Sequence, residues 1–196
     1  MSPMVKNEIV FEPTPLDGVI LVKPAVFGDE RGFFLETYHQ EKYRANGIPD
    51  PFVQDNHSYS KRGTLRGLHA QLRYPQGKLV RAIVGEIFDV AVDARPDSPK
   101  FGQWTSAVLS SDNHHQLYVP PGYVHGFVVT SETAHVQYKC TDFYHPEDEI
   151  SVLWNDPGIG IEWPPIGEIG EPILKEKDRT APRLAEIVDT LRAAGY

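Results

Sequence analysis

From Leu79 to Ala94 the chain reads LVRAIVGEIFDVAVDA, with apolar residues at nearly every second position on either side of a Gly-Glu pair. A period of two is the signature of a strand with one face on a core, and a glycine between two such runs marks a reversal. The stretch therefore predicts a β-hairpin, with Val80, Ala82 and Val84 on one face and Phe88, Val90 and Val92 continuing it past Gly85-Glu86. Arg81, Asp89 and Asp93 fall on the other face.

Similar short runs fill the chain. Gly18–Val26 and Phe33–Tyr38 read as strands separated by the turn at Gly28–Gly32, and His39–Asn46 reads as a short helix closed by Gly47. Val53–Ser60 alternates, placing Gln54, Asn56 and Ser58 on one face. Trp104–Leu109, Gln116–Val119, Gly126–Val129 and His135–Phe143 are further strands; in the last, Val136, Tyr138 and Cys140 share a face. Trp154–Pro172 is rich in Gly and Pro and reads as irregular. Leu184, Ile187, Val188 and Leu191 follow Pro182 at helical spacing. Roughly eight to ten strands with helical trim make an all-β sandwich or barrel, in one domain spanning residues 1–196.

Composition narrows the partners. No apolar run approaches the ~20 residues of a membrane helix, and the start, MSPMVKNEIVFEPTP, lacks a signal-peptide pattern. One cysteine, Cys140, forbids an intrachain disulfide and fits the cytoplasm. A net charge of −8 disfavours nucleic acid and acidic membranes. An anionic ligand would need a local cluster of Arg and Lys.

Two stretches draw attention to chemistry: GTLRGLHAQ (Gly63–Gln71) and PPGYVHGF (Pro120–Phe127). Two His-bearing strands resemble the cupin (jelly-roll) superfamily, whose metal-binding members carry HxH on the first. Here that motif is His69-Ala70-Gln71. His69 and His125 alone fall short of the roughly three or four ligands a transition metal needs, so no metal and no cofactor are expected. A half-buried imidazole without metal suits acid–base work, since its ordinary pKa is about 6.5. The alternative for any one histidine is a hydrogen-bonded core residue. His114, His115, His135 and His145 read as outward or loop positions, and His57 stays undecided.

Taken in order, DERGFFLE, VQDNHSYS, LRGLH, PQGKLVR, GEIFDVAVDAR, PPGYVHGF, YKCTDFYHPEDE and LKEKDRTAPRL make the chain similar to the dTDP-4-dehydrorhamnose 3,5-epimerase family, metal-free cupin enzymes of rhamnose biosynthesis. The departure is Ala70, where the family has a bulkier residue, so that the pocket is expected to widen there. The resemblance implies proton abstraction beside a ketone: His69 as base, Tyr138 as acid, Asp178 orienting the imidazole and Lys78 facing the enolate oxygen. It implies Arg31 and Arg66 as diphosphate anchors. Glu36, Gln54, Asn56 and Glu149 would bond nucleotide or sugar hydroxyls, with His125 and Lys177 near the sugar and phosphates. A homodimer is implied, in which the N-terminal strands and the Arg31 turn complete a partner's site. Three other readings stay open: an epimerase acting on one carbon, a metal-dependent cupin dioxygenase, and a non-catalytic nucleotide-sugar binder.

Overall fold

The computed structural model of the chain describes residues 8–165 and 171–196. In chain order the strands are β1 (Val10–Pro13), β2 (Ile20–Lys23), β3 (Val26–Asp29) and β4 (Gly32–Leu35), followed by helix α1 (Gln40–Ala45). Then come β5 (Gln54–Lys61), β6 (Leu65–Gln71), β7 (Lys78–Val84), β8 (Glu86–Asp93), β9 (Trp104–Ser110), β10 (Gln116–Val119), β11 (Tyr123–Val129), β12 (Thr133–Cys140) and β13 (Glu149–Ser151). Short helices α2 (Glu176–Arg179) and α3 (Val188–Ala194) follow. Two antiparallel sheets carry the molecule, β1-β2-β10-β7-β12-β5 and β13-β6-β11-β8-β9, while β3 and β4 form a separate hairpin.

The sheets face one another across one core. Val80, Ala82, Leu117, Val119 and Val136 from the first meet Ile87, Ala91, Tyr123, Phe127 and Val129 from the second, all 4 % exposed or less. This is the jelly-roll sandwich of the cupin type, and an all-β fold with short helices, one of them C-terminal, is what the alternation predicted.

The hairpin expected at Gly85 does not form. β7 pairs with β10 and β12, and β8 pairs with β9 and β11, so the chain leaves one sheet at Val84 and enters the other at Glu86. Alternation reports only that a face is buried, not which strand lies alongside. Val80 and Ala82 meet Ile87 and Ala91 across the core, whereas Val90 and Val92 point to the opposite face of their sheet. There they pack with Leu68, Ala70 and Val124 under Val152, Ile159, Leu184 and Leu191 of the C-terminal segment. Val84 is 48 % exposed. Only glycine fits the crossing: Gly85 has φ +75°, and a Cβ there would stand 2.0 Å from the carbonyl oxygen of Thr133.

Other boundaries shift for local reasons. The strand read as Gly18–Val26 breaks at Pro24-Ala25, because proline has no N–H for the ladder. β2 stays in the sheet and β3 leaves to pair with β4. Phe33–Tyr38 shortens to Leu35, and His135–Phe143 ends at Cys140. The helix before Gly47 is present; Ile48 N–H caps it on the Tyr43 carbonyl, 3.0 Å away, with Gly47 at φ +91°. Tyr43 and Ile48 then cover the outer face of the first sheet at Ile20, Val22, Leu79 and Tyr118. Within Trp154–Pro172 the described residues are irregular, and residues 166–170 lie outside the described ones. Leu184 and Leu191 are buried, the first on a 3-10 turn and the second on α3.

Candidate active site

Several of the side chains that resemblance singled out meet in one cavity between the sheets. A cavity of about 270 Å³ is lined by Gln54, Asn56, His69, Ala70, Gln71, Gln76, Lys78, Tyr138, Tyr144 and Glu149. Both sheets contribute. β5, β7 and β12 bring Gln54, Asn56, Lys78 and Tyr138, and β6 and β13 bring His69 and Glu149 from the opposing sheet. Leu68 and Ala70 pack into the outer layer, so the period of two sends His69 and Gln71 inward.

His69 sits where two strands come unusually close. A Cβ on Gly67 would lie 2.5 Å from the Gly126 Cα, and one on Gly126 would lie 2.8 Å from the Arg66 carbonyl. The pairing slips between His125 and Phe127 beside this contact, which leaves His125 in register with His69.

The imidazole has carboxylates on both sides. Nε2 is 2.6 Å from Asp178 Oδ1, and Nδ1 is 3.5 Å from Glu149 Oε1. Asp178 is 2 % exposed and comes from α2, which packs against β6. With the Nε2 proton donated to Asp178, the lone pair lies on Nδ1. Glu149 is held by more than the histidine: Lys177 Nζ donates to its Oε2 at 2.9 Å and Tyr144 O–H at 3.0 Å. Burial alone would push the Glu149 carboxyl up, but Lys177, His69 and Tyr144 together hold it below the usual range.

Across the cavity, burial pushes the Tyr138 phenol above its ordinary value; the Cys140 thiol and Glu149 add to this while Arg66 opposes it. Burial lowers the Lys78 ammonium, with Cys140 and Glu149 opposing. Its Nζ donates to Gln76 Oε1 at 3.3 Å. Such a site sets an imidazole on one wall against a phenol and an ammonium on the other, the parts needed to move a carbon-bound proton and stabilise the resulting enolate.

Not every expected residue lines the cavity. Arg66 donates from Nε to Ser60 Oγ at 3.0 Å and reaches Tyr138 through its charge. His125 is 9 % exposed, with Nε2 at 2.9 and 3.0 Å from the Asp89 carboxylate oxygens. Lys177 touches Glu149 from a neighbouring groove. Arg31 stands on the β3–β4 turn, its side chain 84 % exposed and paired only locally, 2.6 Å from Asp29. Glu36 pairs with Lys42 at 2.8 Å beside Phe27 and Phe34. Ala70 contributes to the cavity wall while its methyl packs into the outer layer.

Sequence reasoning missed Gln76, Tyr144 and the working partner of His125, Asp89. Tyr144 follows β12 by a few residues, and no periodicity marks such a position. His57 and His135 lie on the outer face of the first sheet, Nε2 to Nδ1 3.0 Å apart.

The family model for dTDP-4-dehydrorhamnose 3,5-epimerase matches residues 13–186. The chain belongs to the dTDP-4-dehydrorhamnose 3,5-epimerase family. A family member from Pseudomonas aeruginosa is 55 % identical over 169 residues, 86 % of this chain and 92 % of its own. One from Salmonella typhimurium is 51 % identical over 179 residues, 90 % of this chain and 96 % of its own. Among solved structures, the dTDP-6-deoxy-D-glucose-3,5-epimerase of Legionella pneumophila, in complex with dTDP-4-keto-L-rhamnose, is 46 % identical with a TM-score of 0.89. That comparison covers 94 % of this chain and 97 % of the other. The likeness to this epimerase family thus extends over both sheets and all the segments that build the cavity.

Proposed function

We propose that this protein inverts carbons 3 and 5 of dTDP-4-keto-6-deoxy-D-glucose to give dTDP-4-keto-L-rhamnose, an isomerase step in dTDP-L-rhamnose biosynthesis. The observation that carries the reading is the His69–Asp178 pair, 2.6 Å apart, on one wall of a cavity whose opposite wall holds Tyr138 and Lys78.

Both carbons flank the 4-keto group, so loss of either C–H proton gives an enolate. His69 removes the proton through Nδ1, and Asp178 stabilises the imidazolium that forms. Lys78 donates to the enolate oxygen. Tyr138, approaching from the opposing sheet, returns a proton to the other face. A phenol kept protonated by burial is suited to that task.

Arg66 and Lys177 supply positive charge for the diphosphate, and Gln54, Asn56 and Glu149 bond hydroxyls of sugar or nucleotide. His125 stands next to His69 in register, near the sugar. Arg31 and Glu36 lie off the cavity of their own chain, on or beside a hairpin that exposes Phe27, Phe33 and Phe34 (49, 61 and 69 %). In a homodimer this apolar hairpin is covered by the second copy, and Arg31 reaches the second copy's diphosphate. Residues 1–196 act as one catalytic domain in the cytoplasm, without a cofactor. Among the described residues no helix is long and apolar enough to cross a membrane.

Incubation with the 4-keto substrate in deuterated water, with labelled carbons counted by NMR, tests the reading. Label at carbons 3 and 5 together with L-rhamno product is expected. Label at one carbon makes the protein a mono-epimerase, and none at either carbon overturns the assignment.

A further inference from the structure

Gln71 occupies the place in His69-Ala70-Gln71 where a metal-binding cupin carries its second histidine, and the chemistry above gives it no task. It is 2 % exposed, and all three bonds of its amide go to backbone outside its own strand. Nε2 donates to the carbonyls of Tyr74 (2.7 Å) and Phe143 (3.1 Å), and Oε1 accepts the His145 N–H (2.7 Å). From the opposing sheet, Gln54 Oε1 accepts the Tyr144 N–H at 3.0 Å. The segment Phe143–His145 is therefore a strap at the cavity rim, tied to each sheet by one glutamine.

Apolar burial does little to hold that strap: Phe143 is 59 % and Tyr144 48 % exposed. Its middle residue nonetheless lines the cavity, and the Tyr144 phenol bonds Glu149, which stands beside His69. Together with the stacking of the His145 ring on Tyr74, 4.2 Å between centroids, the amide bonds fix a wall of the site. No other side chain of this size offers two donors and an acceptor in one plane; glutamate has no donor when ionised, and methionine has no donor and only a weakly accepting sulfur.

We propose that Gln71 is a positioning residue for ligand affinity, pre-setting the strap so that Tyr144 and Glu149 form a finished wall before the nucleotide sugar arrives. The inference rests on the reading of this cavity as a dTDP-sugar site. Ordering the strap during folding removes that entropic cost from binding, so loss of the ties is felt in Kd and KM rather than in kcat. The competing role, acting on the chemistry through His69 two residues along the same face, makes the opposite split.

Gln71→Glu and Gln71→Met separate these, with dTDP as the calorimetric probe and the 4-keto substrate for kinetics. Kd and KM are expected to rise about tenfold or more while kcat changes by less than about threefold. Folded variants with Kd and KM within about twofold of wild type, or with kcat reduced at unchanged KM, overturn the proposal. In the wild-type protein, which needs no variant to fold, the His145 amide is expected to exchange its hydrogen slowly, and more slowly with dTDP bound. Exchange at a free-loop rate in both states overturns the proposal. Wild-type protein that binds no dTDP overturns the functional reading and this inference with it. Wild-type binding with unaffected variants overturns the inference alone.

Discussion

Asp178 and His69 are 109 residues apart in the chain and 2.6 Å apart at the site. The carboxylate sits almost wholly buried on α2 and accepts a hydrogen bond from Nε2–H, which selects the tautomer and orients the ring. Replacing it with Asn removes the charge that the imidazolium needs and presents an amide able to favour the other tautomer. Asp178→Asn is expected to lower kcat by about 10²- to 10⁴-fold with KM nearly unchanged. Steady-state kinetics check this, and a kcat within threefold of wild type would remove Asp178 from the mechanism.

In the proposed mechanism the two walls of the cavity separate abstraction from reprotonation. His69→Ala is expected to abolish deuterium uptake at both carbons. Tyr138→Phe removes only the acid, so exchange at carbon 5 continues in part while inversion is lost. NMR of the recovered sugar distinguishes the two. Uptake at the wild-type rate in His69→Ala, or undiminished product from Tyr138→Phe, contradicts these roles.

Two buried aspartates are expected to respond to acid in opposite senses. Asp93 is fully buried, and although burial alone raises its carboxyl, bonds from Arg95 and Ser98 hold it below the ordinary 3.8. Its contribution to stability is therefore full above about pH 3.8 and is lost as pH falls through the lower folded value. Asp89, also fully buried, is pushed up mainly by burial, with His125 opposing. Its contribution is present at low pH and lost as pH rises through the raised value. At neutral pH Asp93→Asn is expected to cost about 3 kcal/mol, and Asp89→Asn, which keeps a bond to His125, less than about 1 kcal/mol. Urea unfolding from pH 3 to 7 should show the Asp93→Asn penalty shrinking toward acid. A penalty constant with pH, or a larger loss for Asp89→Asn at pH 7, would contradict these assignments.

Among the described residues the exposed Arg31 side chain has one ion pair, with the neighbouring Asp29, so its loss leaves the fold of its own chain intact. In the proposed dimer, Arg31→Ala raises KM about tenfold or more, and mixing it with His69→Ala restores up to about a quarter of the sites to full composition. Sedimentation gives the mass and kinetics of the mixture give the complementation. A monomer of unchanged KM would rule out a shared site.

Much of the architecture was legible in local pattern. Alternation at Val136, Tyr138 and Cys140 placed the phenol on the core side of its strand, and Gly47 marked the end of a helix correctly. Pairing was not legible. The run at 79–94 is equally consistent with two strands side by side and with two strands facing each other, because burial of a face has the same signature in both cases. The site divided in the same way. His69, Tyr138, Lys78 and Glu149 stood out through motif order, whereas Tyr144 and the Gln71 clip depend on loop backbone that no side-chain period encodes.

By itself, the sequence determined the class of fold, the alternation of faces along most strands and the candidate chemical groups, since these follow from short-range periodicity and residue type; which face of β8 met the other sheet it did not fix. Tertiary structure alone decided that the chain changes sheets at Gly85 and that Asp89 is committed to His125. Those are encounters between residues distant in the chain, set by how two sheets and a C-terminal layer share one volume, and short-range patterns carry no record of them.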